Sequence, residues 1–163
     1  MKQQCHLAMI WLSWAIYAGG AAAALWFHNW FFAGLWILLA PVAQWQYIRR
    51  FPAISGTMGY GPVTDAPAPA QEPVVPHQHV TLYTAVGCPF CPLIEQRLER
   101  LQAKLDFSLE KIDVTLRPDL LMAHGLRAVP AIEAHGQIRT GLLTSEQLAE
   151  FLAPVPAVAA ANR

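Results

Sequence analysis

The sequence has almost no charge in its first part and no excess of either sign overall. Of its 163 residues, 11 are Lys or Arg and 11 are Asp or Glu, so the formal net charge is zero. This balance gives no indication of nucleic-acid binding, which requires a basic surface. Residues 3–48 contain no Asp, Glu, Lys or Arg, and the first acidic residue is Asp65. The chain therefore joins an apolar unit to a polar one.

The apolar part predicts a pair of membrane-spanning helices. One continuous helix would be about 60 Å long, roughly twice the hydrocarbon thickness of a bilayer. The polar pair His28-Asn29 divides this part, so we predict helices over residues 7–27 and 30–48 with a tight turn between them. The basic pair Arg49-Arg50 follows the second helix, whereas the turn has no Lys or Arg, which places both ends in the cytoplasm. A cleaved signal peptide with small residues at 21–24 is the alternative.

Composition divides the chain into four parts. Residues 1–50 are predicted to form a two-helix transmembrane anchor in a multi-pass protein of the inner or cell membrane. Residues 51–78 form a linker rich in Pro, Ala and Gly, extended as polyproline II in its second half. Residues 79–154 are long enough for one modest α/β core. Residues 155–163 form an Ala-rich tail that we expect to be disordered.

Hydrophobic periodicity predicts alternating strands and helices in the α/β domain. Runs with β-type composition are short, and the longest apolar repeat at helical spacing follows the first of them. The predicted order is βαβαββα, with strands over residues 80–84, 107–113, 131–134 and 137–140, and helices over 92–104, 118–124 and 145–152.

Two cysteines, Cys88 and Cys91, stand where the first strand gives way to the first helix of the domain. A helix N-terminus has unpaired N–H groups and a partial positive charge, so it favours an anion. We therefore expect Cys88 to be the more exposed cysteine, with a pKa below the ordinary thiol value, and to act as the nucleophile. Cys91 is placed to resolve a mixed disulfide formed at Cys88.

Two motifs carry a family resemblance. The sequence Cys-Pro-Phe-Cys after Leu-Tyr-Thr resembles the active site of the glutaredoxin branch of the thioredoxin superfamily. About forty residues later, Val129-Pro130 resembles the Val-Pro element of that family, in which a cis proline faces the cysteine pair. The resemblance implies the small glutaredoxin-like thioredoxin fold and thiol–disulfide oxidoreductase activity. It also implies that Pro89, Phe90, Val129 and Pro130 contact the substrate, with the backbone of Val129 pairing with the substrate strand.

The sequence departs from glutaredoxins that use glutathione. Such proteins usually carry a Lys shortly before the cysteines, where this chain has Ala85 and Val86. Their Gly-Gly turn and acidic residues before the last helix are replaced here by residues 141–145, although Arg127 could hold a carboxylate. The predicted partners are therefore a protein or small-molecule disulfide, an external thiol donor that need not be glutathione, and membrane lipid. No cofactor is implied.

Cysteine pairs of this spacing also bind metals, and that alternative stays open. A structural zinc site needs four ligands. The third cysteine, Cys5, is predicted to be an unremarkable juxtamembrane residue, and His77 and His79 begin the strand whose far end precedes the cysteines. We predict no metal site. Two rival functions remain: a thiol module that binds Cu(I) or Hg(II), and an extracytoplasmic helper of disulfide formation or cytochrome maturation.

Overall fold

The computed structural model describes residues 4–57, residue 63 and residues 78–153. The polyproline II linker and the C-terminal tail predicted above lie largely outside these residues. The described elements, in chain order, are β1 (Cys5–His6), α1 (Leu7–Trp26), α2 (Trp30–Ile54), β2 (Gln78–Thr84), α3 (Cys91–Gln102), β3 (Phe107–Asp113), α4 (Pro118–Ala123), β4 (Ala128–Val129), β5 (Ala131–Ala134), β6 (Gln137–Thr140) and α5 (Ser145–Leu152).

The domain is built on a four-stranded mixed sheet. The strand order is β3-β2-β5-β6, with β2 parallel to β3 and antiparallel to β5, and β5 antiparallel to β6. The α/β fold class is therefore confirmed, and the elements follow the predicted βαβαββα order with one additional two-residue strand, β4, before β5. β3, β5, β6 and α5 have the predicted bounds, whereas β2 begins two residues early, at Gln78. Helix α5 begins with a capping box, in which the Thr144 side chain accepts from the Gln147 backbone.

One side of the sheet is covered by α3 and α5. The apolar repeat of α3 is buried as predicted, with Ile94, Leu98 and Leu101 between 0% and 3% exposed. They pack in one cluster with Val80, Leu82, Ile132 and Leu148 of β2, β5 and α5. The same amphipathic face that forms this core also fixes where the N-terminus of α3 lies.

Helices α1 and α2 are both long and apolar enough to cross a membrane, which makes them compatible with a membrane anchor. The turn between them is as short as predicted, and the Asn29 side chain caps α2 by accepting from the Phe32 backbone at 3.1 Å. The indole of Trp36 donates to the Tyr17 carbonyl across the hairpin at 3.1 Å. Helix α2 continues to Ile54, six residues beyond the predicted end, and includes both Pro41 and Pro52.

The N-terminal segment forms a second, unpredicted sheet with the domain. Strand β1 pairs antiparallel with β4, so that Cys5 lies opposite Val129 and His6 opposite Ala128. The Leu7 backbone donates to the Arg127 carbonyl at 3.3 Å immediately beyond this pair. The apolar hairpin therefore begins on the surface of the α/β domain.

The end of α2 also packs against the domain. Phe51 is only 1% exposed, and its ring meets the Phe90 ring edge-on with 4.9 Å between centroids. Beyond α2, the Val63 carbonyl accepts a hydrogen bond from the buried Arg97 guanidinium at 2.6 Å. Near the start of α1, the Trp11 indole donates to the Thr115 carbonyl at 2.9 Å. Both ends of the hairpin thus contact the loops around the cysteine pair.

Candidate functional site

The cysteine pair lies in the turn between β2 and α3. The Cys88 backbone donates to the Ala85 carbonyl at 3.2 Å, and α3 begins at Cys91 with Pro92 in its first turn, where a missing N–H costs nothing. Gly87 has φ 93°, which a residue with a side chain rarely adopts. A Cβ at Gly87 would lie 2.6 Å from Nε2 of Gln44, so helix α2 covers this turn closely.

The Val-Pro element faces the cysteines, as the resemblance implied. The Val129–Pro130 peptide bond is cis, which confirms that prediction. The Cys88 thiol donates toward the Val129 carbonyl, with Sγ and O 3.9 Å apart. Val129 and Pro130 are both fully buried, as are Phe90 and its partner Phe51. The structure therefore brings Cys88, Phe90, Val129 and Pro130 together.

The exposure predicted for Cys88 is wrong. Cys88 is 2% exposed and Cys91 is 4% exposed, so neither cysteine is open to solvent and Cys88 is not the more exposed of the two. The reason lies outside the domain. The buried residues Leu7, Ile10 and Phe51 of the hairpin pack in one cluster with both cysteines.

The pKa prediction for Cys88 is also wrong. The hydrogen bond that Cys88 accepts from Cys5 lowers its pKa, but the hydrogen bond to Cys91 and burial act in the opposite direction and outweigh it. The result is a pKa of about 12, against an ordinary value of 9.0. The hydrogen bond to Cys91 and burial both favour the neutral thiol, and together they exceed the benefit of the helix N-terminus.

Cys5 is part of this cluster rather than an unremarkable juxtamembrane residue. Its side chain is in hydrogen-bonding contact with that of Cys88, and the contact raises the pKa of Cys5, as does burial. Cys5 also packs against the apolar cluster that contains Cys88 and Cys91. All three thiols are free. The sequence carried no signal for this contact, because 83 residues separate the two cysteines in a region without a recognisable motif.

A cavity of about 310 Å³ opens beside the cysteine pair. Its volume is at the lower end of the range for small-molecule sites. Cys88 and Cys91 line one side, Ile48 of α2 lines another, and Lys111 and Asp113 provide polar groups from β3. Lys111 is paired with Glu95 of α3, which also lines the cavity. No residue of β1 is among those that line the cavity.

The histidines are engaged elsewhere. His79 contacts Ser108 and Glu110, each at 3.0 Å, on the exposed surface of the sheet. His124 packs against Tyr83 and lies 3.5 Å from Glu133. Among residues 4–57, 63 and 78–153, no group of three or more His, Cys, Asp or Glu side chains is arranged to hold a metal ion.

A mixed sheet that places a buried Cys-X-X-Cys pair at a helix start, opposite a cis proline, defines a thiol–disulfide redox domain of thioredoxin fold. A glutaredoxin-like domain family (DUF836) matches residues 79–153. The chain belongs to the thioredoxin superfamily and carries a glutaredoxin-like domain.

Two relatives of known sequence and one solved structure each match a little under half of the chain. A probable thioredoxin of Methanothermobacter thermautotrophicus is 32% identical over 79 residues, which are 45% of this chain and 91% of the relative. A probable thioredoxin of Methanothermobacter marburgensis is 32% identical over 78 residues, 45% of this chain and 89% of the relative. A mutant thioredoxin from Halobacterium salinarum has 27% identity and a TM-score of 0.41, covering 48% of this chain and 78% of its own.

Proposed function

We propose that this chain is a membrane-anchored, glutaredoxin-like protein-disulfide oxidoreductase whose redox centre is the Cys88–Cys91 pair. The observation that carries the proposal is the position of Cys88, at a helix start and 3.9 Å from the Val129 carbonyl beside a cis proline. An extended disulfide substrate that replaces β1 on the β4 edge would bring its sulfur to Cys88.

The reaction is two successive exchanges. The Cys88 thiolate attacks one sulfur of the substrate disulfide, forms a mixed disulfide and releases the other sulfur as a thiolate. The Cys91 thiolate then attacks Sγ of Cys88, closing the Cys88–Cys91 disulfide and releasing the second substrate thiol. Phe90 and Pro130 supply apolar walls, and Pro89 restricts the loop between the cysteines. An external thiol returns the pair to the reduced state.

The membrane part of the proposal rests on the hairpin. Helices α1 and α2 expose large apolar side chains, such as Trp26 at 81% and Phe31 at 78%. Exposure of such a large apolar surface to water is unfavourable, whereas lipid would cover it. The basic pair Arg49-Arg50 near the end of α2 supports a cytoplasmic location for the catalytic domain. A reporter that is active only outside the cytosol, fused after Arg163, should be silent; activity would favour the extracytoplasmic rival.

The redox assignment is tested by turnover of the full chain in detergent. With 2-hydroxyethyl disulfide as substrate and a thiol donor, the wild type should consume disulfide and Cys88→Ser should lose this activity. Met122→Ser is the matched control, because Met122 is 79% exposed on α4. Equal turnover by wild type and Cys88→Ser would refute the assignment. Donors should be compared directly, since glutathione is only one candidate.

A further inference from the structure

We infer that Cys5 is a third redox cysteine of this site, carried on a strand that occupies the substrate-pairing edge and able to form a disulfide with Cys88. This inference rests on the proposed function, because it uses the disulfide chemistry of the Cys88–Cys91 pair. It assigns an activity to a segment that lies outside the glutaredoxin-like domain.

The backbone of β1 lies where the proposed function requires a substrate strand. Cys5 and Val129 are directly opposite one another in an antiparallel pair, and the pairing continues through the Leu7 backbone to the Arg127 carbonyl at 3.3 Å. On the other side of Cys5, the Gln4 side chain accepts from the Thr140 hydroxyl at 3.4 Å. The segment is therefore held on both sides of the cysteine, in one register.

Register decides which side chain reaches the cysteines. Successive residues of a strand point to opposite faces, so Cys5 and His6 cannot both face the pair. Cys5 is the residue that packs into the cluster with Cys88 and Cys91, while His6 is exposed. The thiol of Cys5 therefore takes the position that a substrate sulfur would occupy.

The exchange balances without an external oxidant. Starting from the Cys88–Cys91 disulfide, the Cys5 thiolate attacks Sγ of Cys88, a Cys5–Cys88 disulfide forms, and the Cys91 sulfur leaves as a thiolate that takes up a proton. Starting from a mixed disulfide at Cys88, the same attack releases the bound substrate as a thiol. Because Cys5 is held in place, its reaction is intramolecular and favoured by proximity. Cys5 is thus a second resolving thiol.

The test uses full-length Cys91→Ser in detergent, treated with 2-hydroxyethyl disulfide. If Cys5 resolves the adduct, both halves of the probe are released and peptide mapping finds a Cys5–Cys88 disulfide within one chain. Retention of the probe on Cys88 with an alkylatable Cys5, or a disulfide between two chains, would overturn the inference. Cys91→Ala gives the same readout if the serine variant does not fold.

Two further variants make the result depend on register. Adding Cys5→Ser to Cys91→Ser should leave the probe on Cys88. Adding Cys5→Ser and His6→Cys keeps a thiol in the segment but turns it to the other face, and this variant should also retain the probe. Release of the probe there would mean that proximity alone is enough, against the inference. A wild type that forms no Cys88–Cys91 disulfide would instead count against the proposed function.

Discussion

Replacing Phe51 with alanine should open the cysteine site without dismantling the sheet. Phe51 lies in α2, is 1% exposed and packs edge-on against Phe90. Phe90 stands between the two cysteines in the sequence. It belongs to the apolar cluster around the cysteines, whereas the core beneath α3 and α5 is a separate cluster. The substitution therefore removes a contact between the α1–α2 hairpin and the turn that carries Cys88 and Cys91.

The size of the effect follows from the buried ring. Replacing a buried Phe with Ala costs about 3–5 kcal/mol, of which an edge-on aromatic pair contributes about 0.5–1.5 kcal/mol. We assume that about 3 kcal/mol of this loss weakens the packing of α2 against the turn that carries the cysteines. The fraction of molecules in which α2 has moved away from the cysteines then rises about 100-fold, since about 1.4 kcal/mol corresponds to a factor of ten. When α2 returns faster than the reagent reacts, the labelling rate of Cys88 is proportional to the fraction of molecules in which α2 has moved away.

The assay is the rate at which iodoacetamide labels Cys88 in the reduced full chain, followed by peptide mapping at constant pH. We expect an increase of about 100-fold in Phe51→Ala, from the free-energy difference above. Phe31→Ala is the matched control, because Phe31 lies in the same helix and is 78% exposed. Hydrogen exchange in β2 must remain slow, which shows that the sheet is intact. A Phe51→Ala rate within about threefold of the control, on the same free-energy scale, would refute the reasoning.

Two further predictions concern stability. Because the folded-state pKa of Cys88 is about 12 against 9.0, the unfolded chain loses this proton first as the pH rises, so the free energy of unfolding should fall between pH 9.0 and about pH 12. Denaturant titrations of reduced wild type and Cys88→Ser check this, and equal slopes with pH would contradict it. Arg97→Met removes buried hydrogen bonds to the carbonyls of Leu143 and Val63 and should cost about 2–4 kcal/mol. The exposed Arg100→Met should change stability by less than about 0.5 kcal/mol, and equal urea midpoints for the two variants would contradict the role of Arg97.

The domain could be predicted because its signals are local. The apolar repeat through Ile94, Leu98 and Leu101 needs only helical spacing, so the sequence alone reveals it. The predicted end of α2 and the predicted start of β2 differ from the structure, because tertiary contacts determine where these elements end and begin. Phe51 extends the helix past Ile48 by packing against Phe90, which a linker composition does not reveal.

Strand β1 could not be predicted, because it has only two residues and no alternating pattern. Its pairing with Ala128 and Val129 depends on bringing together segments more than 120 residues apart. The same long-range contact hid the role of Cys5. In the sequence, a single cysteine beside an apolar helix does not indicate a functional role. The role of Cys5 becomes visible only from its register opposite Val129.

The error about Cys88 shows which of two effects is larger. A helix N-terminus stabilises a nearby anion by about 0.3–1 kcal/mol at an exposed site and by up to about 2 kcal/mol when partly buried. At Cys88 the hydrogen bond to Cys91 and burial both raise the pKa, and together they outweigh the helix terminus. Burial can raise a thiol pKa by several units, each worth about 1.4 kcal/mol. Water is excluded here by residues from both ends of the hairpin, including Leu7 and Phe51. The pKa of Cys88 therefore depends on the neighbouring Cys91 and on the hairpin that buries both cysteines, as well as on the helix start.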